Sequence, residues 1–451
     1  MILFRYRMPE QQYIDLAVTG AHILTIDQHM TEFKPGSVYI AGNRIFWIGR
    51  DDQQPENCLI RERIDASGKI ILPTFFNCHS HAAMSVFRGL GNDLSLDEWL
   101  NGFIWPAERA LINPATVYLG TMLSIIEMIR SGTGIFSDMY FFEEEVARAC
   151  EEAGIRGIIG EGILDFPTPS HATPQEAMET ARGLHRQFLN DPLVTVSVAV
   201  HAPYTCSPDI IRQAGELAEE LDIPANVHLA ETMTELSIIR ERYDKTPVQY
   251  LYDLGFLSDR TVVHHSIHLT PDDRQLLKQT GTSVVTLPNS NMKLGSGACA
   301  VGELIRPGIT VALGTDGPAS NNNQSMVREI QQVARLERVI SRDPASLPTR
   351  ELIRIATING AKAYRMERDL GSLECGKKAD FQIINPDQPH WYPLYDPYNS
   401  IAYAMHSEDV ESVIVDGKVV MRNRVMVNVD EQRILREMKR VGTHICVRSR
   451  Q

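Results

Sequence analysis

Four apolar runs alternate with helical segments in the second half of the chain: PANVHLAE (224–231), TVVHHSIH (261–268), TSVVTLP (282–288) and ITVALGTD (309–316). Four earlier runs have the same character: ILPTFFN (71–77), GIFSD (134–138), IRGIIGEGI (155–163) and LVTVSVAVH (193–201). Short runs rich in β-branched residues predict buried strands, and their alternation with helices predicts parallel β-α units. Eight such units favour a closed barrel over an open sheet, so the predicted fold class is α/β, a (β/α)8 TIM-like barrel.

The two ends of the chain have a different sequence pattern. DLAVTGAHILTI (15–26) and SVYIAGNRIFWIG (37–49) are strand-like with glycine at the breaks, and so are ADFQIINP (379–386) and VESVIVDGKVVMRNRVMV (410–427). We therefore expect a small β-sandwich built from both termini, residues 1–70 and 369–451, the latter with a C-terminal helix. The barrel would occupy residues 71–368.

The composition is that of an ordinary globular protein and limits its partners. The chain has 451 residues, 43% hydrophobic and 22% charged, which argues against disorder or a fibrous structure. With 44 basic and 57 acidic residues, the net charge is −13, so nucleic acid and anionic membranes are not expected partners. No apolar stretch approaches the roughly 20 residues that span a bilayer.

Two further features indicate a reducing compartment. The start, MILFRYRMPEQQ (1–12), lacks the pattern of a signal peptide, and none of the seven cysteines form a CxxC pair. We expect a cytoplasmic protein with reduced cysteines.

Histidines and carboxylates cluster at the predicted strand ends. In a β/α barrel the active site lies at the carboxyl ends of the strands. Those ends carry His79, His81, Asp138, Glu161, His201, His228, Glu231, His264, His265, His268 and Asp316. The strand ends are therefore the predicted location of the chemistry.

His79 and His81 are the first candidates for metal ligands. Alternation along a strand points both rings to one side, although a pair of surface histidines is the plainer alternative. His228 and Asp316 complete a set of three imidazoles and one carboxylate, which suits zinc and also iron or cobalt. The fourth strand offers no lysine that could bridge two metals, so a mononuclear site is expected.

Glu231 and His265 are the candidates for proton transfer. A carboxyl group beside a metal site is the usual proton shuttle in hydrolysis, although Glu231 could also be an acidic residue at a helix start. Adjacent strand residues face opposite ways, so we expect only one of His264 and His265 to point into the barrel.

Five motifs contain or flank these candidate residues: NCHSHAAMSVFRGLGNDLSLDEWLNGFIWPAE (77–108), HLAET (228–232), HHSIHLT (264–270), NSNMKLGSG (289–297) and LGTDGPASNNN (313–323). Through these motifs the chain resembles the amidohydrolase superfamily, and within it the 5′-methylthioadenosine/S-adenosylhomocysteine deaminase family. The motifs follow one another in the family's order, and the resemblance covers nearly the whole chain.

The resemblance implies a metal-dependent hydrolytic deaminase. Its substrates would be adenosine-type nucleosides: 5′-methylthioadenosine, and also adenosine, 5′-deoxyadenosine or S-adenosylhomocysteine. The implied ligands of one Zn²⁺ per subunit, or of Fe²⁺ or another divalent metal, are His79, His81, His228 and Asp316. The implied catalytic residues are Glu231, His265 and Asp316, and the implied substrate contacts are Glu108 (at the ribose hydroxyls), His201, Glu231 and Ser320.

Two departures from the family pattern and three alternative functions remain open. Glu161 stands where the family has an arginine suited to the homocysteine carboxylate, which predicts a preference against S-adenosylhomocysteine, and His264 replaces a small residue. The same ligands would serve an aminohydrolase of a free purine or pterin base, or a related dechlorinating hydrolase. A non-enzymatic scaffold is the third alternative. Whether the protein forms a homo-oligomer is left open.

Overall fold

The computed structural model describes residues 12–448. Residues 1–11 and 449–451, which belong to the two predicted parts of the terminal domain, lie outside the described residues. The first five strands are β1 (Gln12–Leu24), β2 (Glu32–Ala41), β3 (Arg44–Arg50), β4 (Cys58–Asp65) and β5 (Ile70–Pro73). The next ten are β6 (Phe75–Ser80), β7 (Thr133–Asp138), β8 (Arg156–Ile159), β9 (Gly162–Ile163), β10 (Val194–Val196), β11 (Val198–Val200), β12 (Ala225–Leu229), β13 (Thr261–His265), β14 (Ser283–Thr286) and β15 (Val311–Leu313). The last four are β16 (Phe381–Ile384), β17 (Val410–Val415), β18 (Lys418–Arg422) and β19 (Val425–Met426).

Strands from both ends of the chain share one nine-stranded sheet. Its order is β19-β18-β17-β16-β5-β1-β2-β3, with β4 beside β1. Most of its pairs are antiparallel, including the β16–β5 pair that joins the two ends. Leu16, Val38 and Phe381 belong to an apolar cluster of this sheet, and Ile14 and Tyr39 belong to a second one.

The middle strands are parallel, which confirms the predicted α/β class. They form a sheet of order β10-β8-β7-β6 and another of order β15-β14-β13-β12-β11-β9. β8 and β9 are consecutive pieces of one predicted strand, as are β10 and β11, so all eight predicted strands are present. Ile70–Pro73, however, lies in the terminal sheet. The first strand of the two middle sheets therefore begins at Phe75 rather than at Ile71.

Helices separate these strands as the sequence pattern predicts. Their bounds are α1 (Leu96–Trp99), α2 (Trp105–Leu111), α3 (Pro114–Arg130), α4 (Glu143–Ala153), α5 (Pro174–Phe188), α6 (Pro208–Leu221), α7 (Met233–Tyr243), α8 (Pro247–Asp253), α9 (Pro271–Thr280), α10 (Pro288–Lys293), α11 (Val301–Ile305), α12 (Met326–Ser341), α13 (Thr349–Ile355), α14 (Ile358–Ala363), α15 (Pro397–Tyr403) and α16 (Glu431–Arg448). Their starts are well specified: Thr232 and Thr270 accept backbone N–H groups at the first turns of α7 and α9. Among residues 12–448, no single helix is long and apolar enough to cross a membrane; one pair, Leu96–Leu111 with Pro114–Arg130, meets that length and composition only together and is bent by 116°.

Candidate active site and metal centre

Three histidines and one aspartate converge where the parallel strands end. His79 lies on β6, His81 directly follows it, His228 lies on β12, and Asp316 follows β15. The Oδ1 atom of Asp316 is 3.5 Å from His79 Nε2 and 3.3 Å from His81 Nε2. His228 Nε2 lies 3.3 Å from His81 Nε2. The structure thus brings together all four residues that the sequence proposes as metal ligands.

Backbone carbonyl groups orient two of these rings. His81 Nδ1 lies 2.5 Å from the carbonyl oxygen of Met139, and His228 Nδ1 lies 2.6 Å from that of His201. Because a carbonyl oxygen only accepts, each Nδ1 donates and each Nε2 lone pair faces the shared centre. Such orientation is what a cation at this centre requires.

The electrostatics keep the imidazoles neutral and the carboxylate charged. Burial lowers the pKa of His79 to about 3, and it also lowers the pKa of His81 and His228. Burial alone would raise the pKa of Asp316, but the surrounding histidines, His79 first, hold it well below its usual range. Neutral imidazole and ionised carboxylate are the forms that bind metal.

The donor set fits a metal ion. In the part of the chain that the structure describes, two groups have ligand atoms within 4.8 Å of one another: His79 with His81 and Asp316, and His79 with His228 and His265. The buried His79 Nε2 atom has no hydrogen-bond partner. An orphaned imidazole nitrogen facing a carboxylate is costly unless it ligates.

Glu231 and His265 lie beside this centre. Glu231 Oε2 is 3.6 Å from His265 Nε2, and Ser296 Oγ donates a hydrogen bond of 3.2 Å to Glu231 Oε1. Burial raises the pKa of Glu231, which favours its protonated form. The carboxyl group is therefore suited to hold a proton next to the metal ligands.

Three residues at the ends of the parallel strands have left-handed backbone angles at this site. The φ angles of Ala230, His265 and Asp316 are 52°, 68° and 63°. Residues other than glycine adopt such angles rarely and at a cost, and they cluster at functional sites. Each angle turns the chain sharply where a candidate functional side chain leaves its strand.

The orientation of the His264 ring differs from the one that the sequence predicts. Strand alternation predicts that it faces the surrounding helices if His265 faces the centre, but its ring stacks on His79 with centroids 3.9 Å apart. The His265 ring is also close, with its centroid 6.0 Å from that of His79. Strict alternation fails because the φ angle of His265 departs from strand geometry.

A cavity extends from the metal ligands toward a second polar end. Glu108, on α2, is buried there and accepts a 2.7 Å hydrogen bond from the Tyr140 hydroxyl group. Burial raises the pKa of Glu108 to about 7. His201 and Ser320 also line the cavity, and Ser320 Oγ donates to Asp316 Oδ2. All the sequence-proposed substrate contacts therefore border one space.

Sequence reasoning misses several cavity residues. Tyr140, two residues beyond the strand-end Asp138, is not among the sequence candidates, although its position after a buried strand is a usable signal. Most of the apolar wall is also missed, including Met84, Leu96, Leu100, Phe141 and Leu164. Asp138 itself accepts a hydrogen bond from the backbone N–H of Ala82 and is not among the lining residues.

Glu161 does not line the cavity either. Its carboxylate accepts hydrogen bonds from the backbone N–H groups of Phe142 and Glu143 at 3.3 and 3.0 Å, and from the Ser170 hydroxyl group. His171 Nε2 is 3.4 Å from the same carboxylate. These groups hold the Glu161 carboxylate away from the cavity lining, so the charge reversal at this position does not act from the cavity wall.

Comparisons with known proteins agree with this geometry. Residues 70–420 match the amidohydrolase family. A 5-methylthioadenosine/S-adenosylhomocysteine deaminase of Syntrophus aciditrophicus is 38% identical over 432 residues, 96% of this chain and 98% of that relative. The chain belongs to the 5-methylthioadenosine/S-adenosylhomocysteine deaminase family of amidohydrolases. It is therefore an enzyme, a hydrolase.

Two solved structures that resemble this deaminase family member contain zinc. An adenosine deaminase from Xanthomonas campestris with bound zinc superposes with a TM-score of 0.95 at 31% identity, covering 97% of this chain and 100% of that one. An atrazine chlorohydrolase from Arthrobacter aurescens complexed with zinc has a TM-score of 0.88 at 22% identity over 95% of this chain and 100% of that one, and it shares the fold. The family and the histidine–aspartate cluster together indicate a divalent metal ion at this site.

Proposed function

We propose that this enzyme hydrolytically deaminates adenosine-type nucleosides to the inosine analogue and ammonia. The observation that carries the proposal is one cavity bordered by Glu231 and His265 at the metal ligands and by Glu108 farther along. Such a cavity has proton-transfer groups where a purine amino group would react and a carboxylate that can accept from two vicinal ribose hydroxyls. The substrates would be 5′-methylthioadenosine, adenosine, 5′-deoxyadenosine or S-adenosylhomocysteine.

His79, His81, His228 and Asp316 would hold one Zn²⁺ per subunit, with Fe²⁺ or another divalent ion as the alternative. When bound, such an ion supplies Lewis acidity and a lowered pKa for water at this position. Three imidazoles and one carboxylate match the ligand types of such sites.

The chain's own residues carry the proton transfers. Glu231, whose pKa burial raises and whose carboxyl group accepts a hydrogen bond from Ser296, donates its proton to ring nitrogen N1 as the water oxygen adds to C6. His265 orients the attacking water through Nε2, and Asp316 accepts the proton that the water releases. Asp316 then returns that proton to the departing amino group, and the proton of the C6 hydroxyl group restores Glu231 as the carbonyl forms. One water is thus consumed, one ammonia leaves, and both carboxyl groups return to their starting forms.

The architecture that we propose is a closed (β/α)8 barrel at 71–368 with a β-sandwich formed by 1–70 and 369–451. The pairing of β8 with β10, and of β9 with β11, supports continuity between the two parallel sheets. The hydrogen bond from the Asp316 backbone N–H to the His79 carbonyl oxygen supports closure. The nine-stranded sheet supports a terminal domain built from both ends. A cytoplasmic location stays a prediction.

The buried Glu108–Tyr140 pair favours a nucleoside over a free base. A free purine or pterin has no vicinal hydroxyls for the Glu108 carboxylate to bind, which would leave this buried group without its substrate partner. The dechlorinating alternative has less support, because the atrazine chlorohydrolase shares only the fold with this chain, at 22% identity. The scaffold alternative is disfavoured because all four proposed ligands converge.

A substrate screen tests the proposal. The zinc-loaded enzyme is incubated with 5′-modified adenosines, free purine bases and pterins, and deamination is followed by the change in ultraviolet absorption. We expect turnover with the adenosines and little with free bases. Turnover confined to free bases, or no deamination at all, would refute the nucleoside assignment.

A further inference from the structure

One short segment contacts all three proposed proton-handling residues. Residues 288–296, here the 288–296 segment, follow β14 and comprise α10 and the turn after it. Ser290 Oγ donates to Asp316 Oδ2, and Ser296 Oγ donates to Glu231 Oε1. Asn291 Oδ1 lies 2.8 Å from His265 Nδ1. The NSNMKLGSG motif, of which only Ser296 has a role in the proposed chemistry so far, thus lies directly against the reacting groups.

The 288–296 segment is itself firmly held. At its start, Asn289 donates to the buried Glu329 carboxylate through its backbone N–H at 3.2 Å and its Nδ2 atom at 2.6 Å. At its end, the Ser296 backbone N–H donates to the Asn291 carbonyl oxygen at 2.9 Å, and His268 Nε2 lies 2.9 Å from the Ser296 carbonyl oxygen. A segment fixed at both ends can hold side chains in one orientation.

The Asn291 contact determines which nitrogen of His265 carries the proton. An amide oxygen only accepts, so His265 Nδ1 donates and Nε2 of the neutral ring presents a lone pair. That Nε2 atom faces Glu231 Oε2 at 3.6 Å, on the side of the metal ligands. In this tautomer His265 can accept a hydrogen bond from the attacking water, whereas the opposite tautomer could not.

We propose that Asn291, assisted by Ser290 and Ser296, is a positioning residue that holds His265 as its Nδ1–H tautomer and fixes the carboxyl groups of Asp316 and Glu231. This inference rests on the proposed deamination. Asn291 and Ser290 are fully buried, so they act through the three residues that they contact. Outer contacts of this kind typically contribute about 10–100-fold to activity.

Three variants of the zinc-loaded enzyme test the proposal kinetically. Asn291→Ala removes the acceptor and Asn291→Asp keeps it, while Met292→Ala changes an adjacent helical side chain that is 40% exposed. We expect Asn291→Ala to lower kcat about 10–100-fold with little change in KM or zinc content. Asn291→Asp should recover much of the loss, and Met292→Ala should behave as the unmodified enzyme.

The kinetic outcomes that contradict the proposal are specific. An Asn291→Ala enzyme with unchanged kcat would show that the contact does not matter. Equal losses in Asn291→Ala and Asn291→Asp would show that the acceptor at Nδ1 is not the cause. Loss of zinc along with activity in Asn291→Ala would assign the residue to metal retention instead.

The tautomer has a readout that does not depend on turnover. Nitrogen-15 imidazole spectra of the holoenzyme, with the His265 signal assigned from its loss in His265→Asn, should show an Nδ1–H proton. That proton should persist in Asn291→Asp and disappear in Asn291→Ala. An Nε2–H signal in the unmodified enzyme would overturn the proposal. If the enzyme deaminates no nucleoside, the proposed function fails, and the spectra still decide the tautomer.

Discussion

The backbone N–H of Asp316 donates a 3.0 Å hydrogen bond to the carbonyl oxygen of His79. This bond connects the chain after the last parallel strand, β15, to the first, β6, and it places the two side chains across one shared centre. Asp316 Oδ1 lies 3.5 Å from His79 Nε2 as a direct result. A contact between the segments at the ends of β15 and β6 thus helps to assemble a donor set that neither strand could form alone.

The first prediction concerns metal content. Purified protein should contain about one zinc-like ion per chain, since the described donor atoms converge on one centre and the fourth strand offers no bridging lysine. Elemental analysis checks the ratio, and two tightly bound ions per subunit would contradict it. Chelation should abolish turnover, and added zinc should restore it.

The second prediction concerns Glu231. Replacing it by Gln keeps the shape and the contact with Ser296 but removes the proton that the reaction needs. We expect kcat to fall about 10²-fold or more while zinc content stays unchanged. Steady-state kinetics beside elemental analysis measure both quantities. Near-normal turnover in Glu231→Gln would remove this residue from the mechanism.

Much of the fold and of the metal centre could be predicted from the sequence because both follow from local patterns. All eight strands appear as apolar runs, and the polar residues that end them meet because parallel strands end together. The orientation of His264 could not be predicted, since the left-handed φ of His265 breaks the alternation. The Glu108–Tyr140 pair was also hidden, because it joins a helix to a strand end through the tertiary fold.

The third prediction concerns ribose recognition by Glu108. Glu108→Gln replaces a buried carboxylate by a neutral amide, so its hydrogen bonds to the ribose hydroxyls weaken. Bonds to charged groups contribute about 1.5–3 kcal/mol, so KM for adenosine should rise roughly tenfold or more. A matched substrate without the two hydroxyls, 2′,3′-dideoxyadenosine, should show little difference between the two enzymes. Equal effects on both substrates would contradict the ribose role.

The fourth prediction concerns pH. Burial raises the pKa of Glu108 to about 7, so the acceptor carboxylate is present above that pH and is lost as pH falls through it. KM for adenosine should therefore increase as pH decreases below about 7, whereas Glu108→Gln should lose this dependence. Kinetics at constant ionic strength measure the effect. An unchanged KM across this range would contradict the pKa assignment.

The fifth prediction concerns the 5′ substituent. Among the described residues that line the cavity there is no lysine or arginine, and its wall includes Leu96, Trp105 and Leu164. The carboxylate of S-adenosylhomocysteine would lack a charge-assisted partner there, which costs about 2 kcal/mol or roughly thirtyfold. Catalytic efficiency, measured as kcat/KM, should therefore be lower with S-adenosylhomocysteine than with adenosine, 5′-methylthioadenosine or 5′-deoxyadenosine.

A Glu161 variant tests whether the negative charge at position 161, where the family has an arginine, contributes to this preference in addition to the apolar cavity wall. Glu161 binds the backbone N–H groups of Phe142 and Glu143 and does not line the cavity, so Glu161→Gln should leave the ratio of the two catalytic efficiencies unchanged. Competition assays with 5′-methylthioadenosine and S-adenosylhomocysteine measure that ratio directly. If Glu161→Gln raises the relative rate with S-adenosylhomocysteine, the Glu161 charge does act on the substrate arm. If S-adenosylhomocysteine is the best substrate of the unmodified enzyme, the apolar cavity wall does not determine selectivity, because an unpaired carboxylate should not be favoured there.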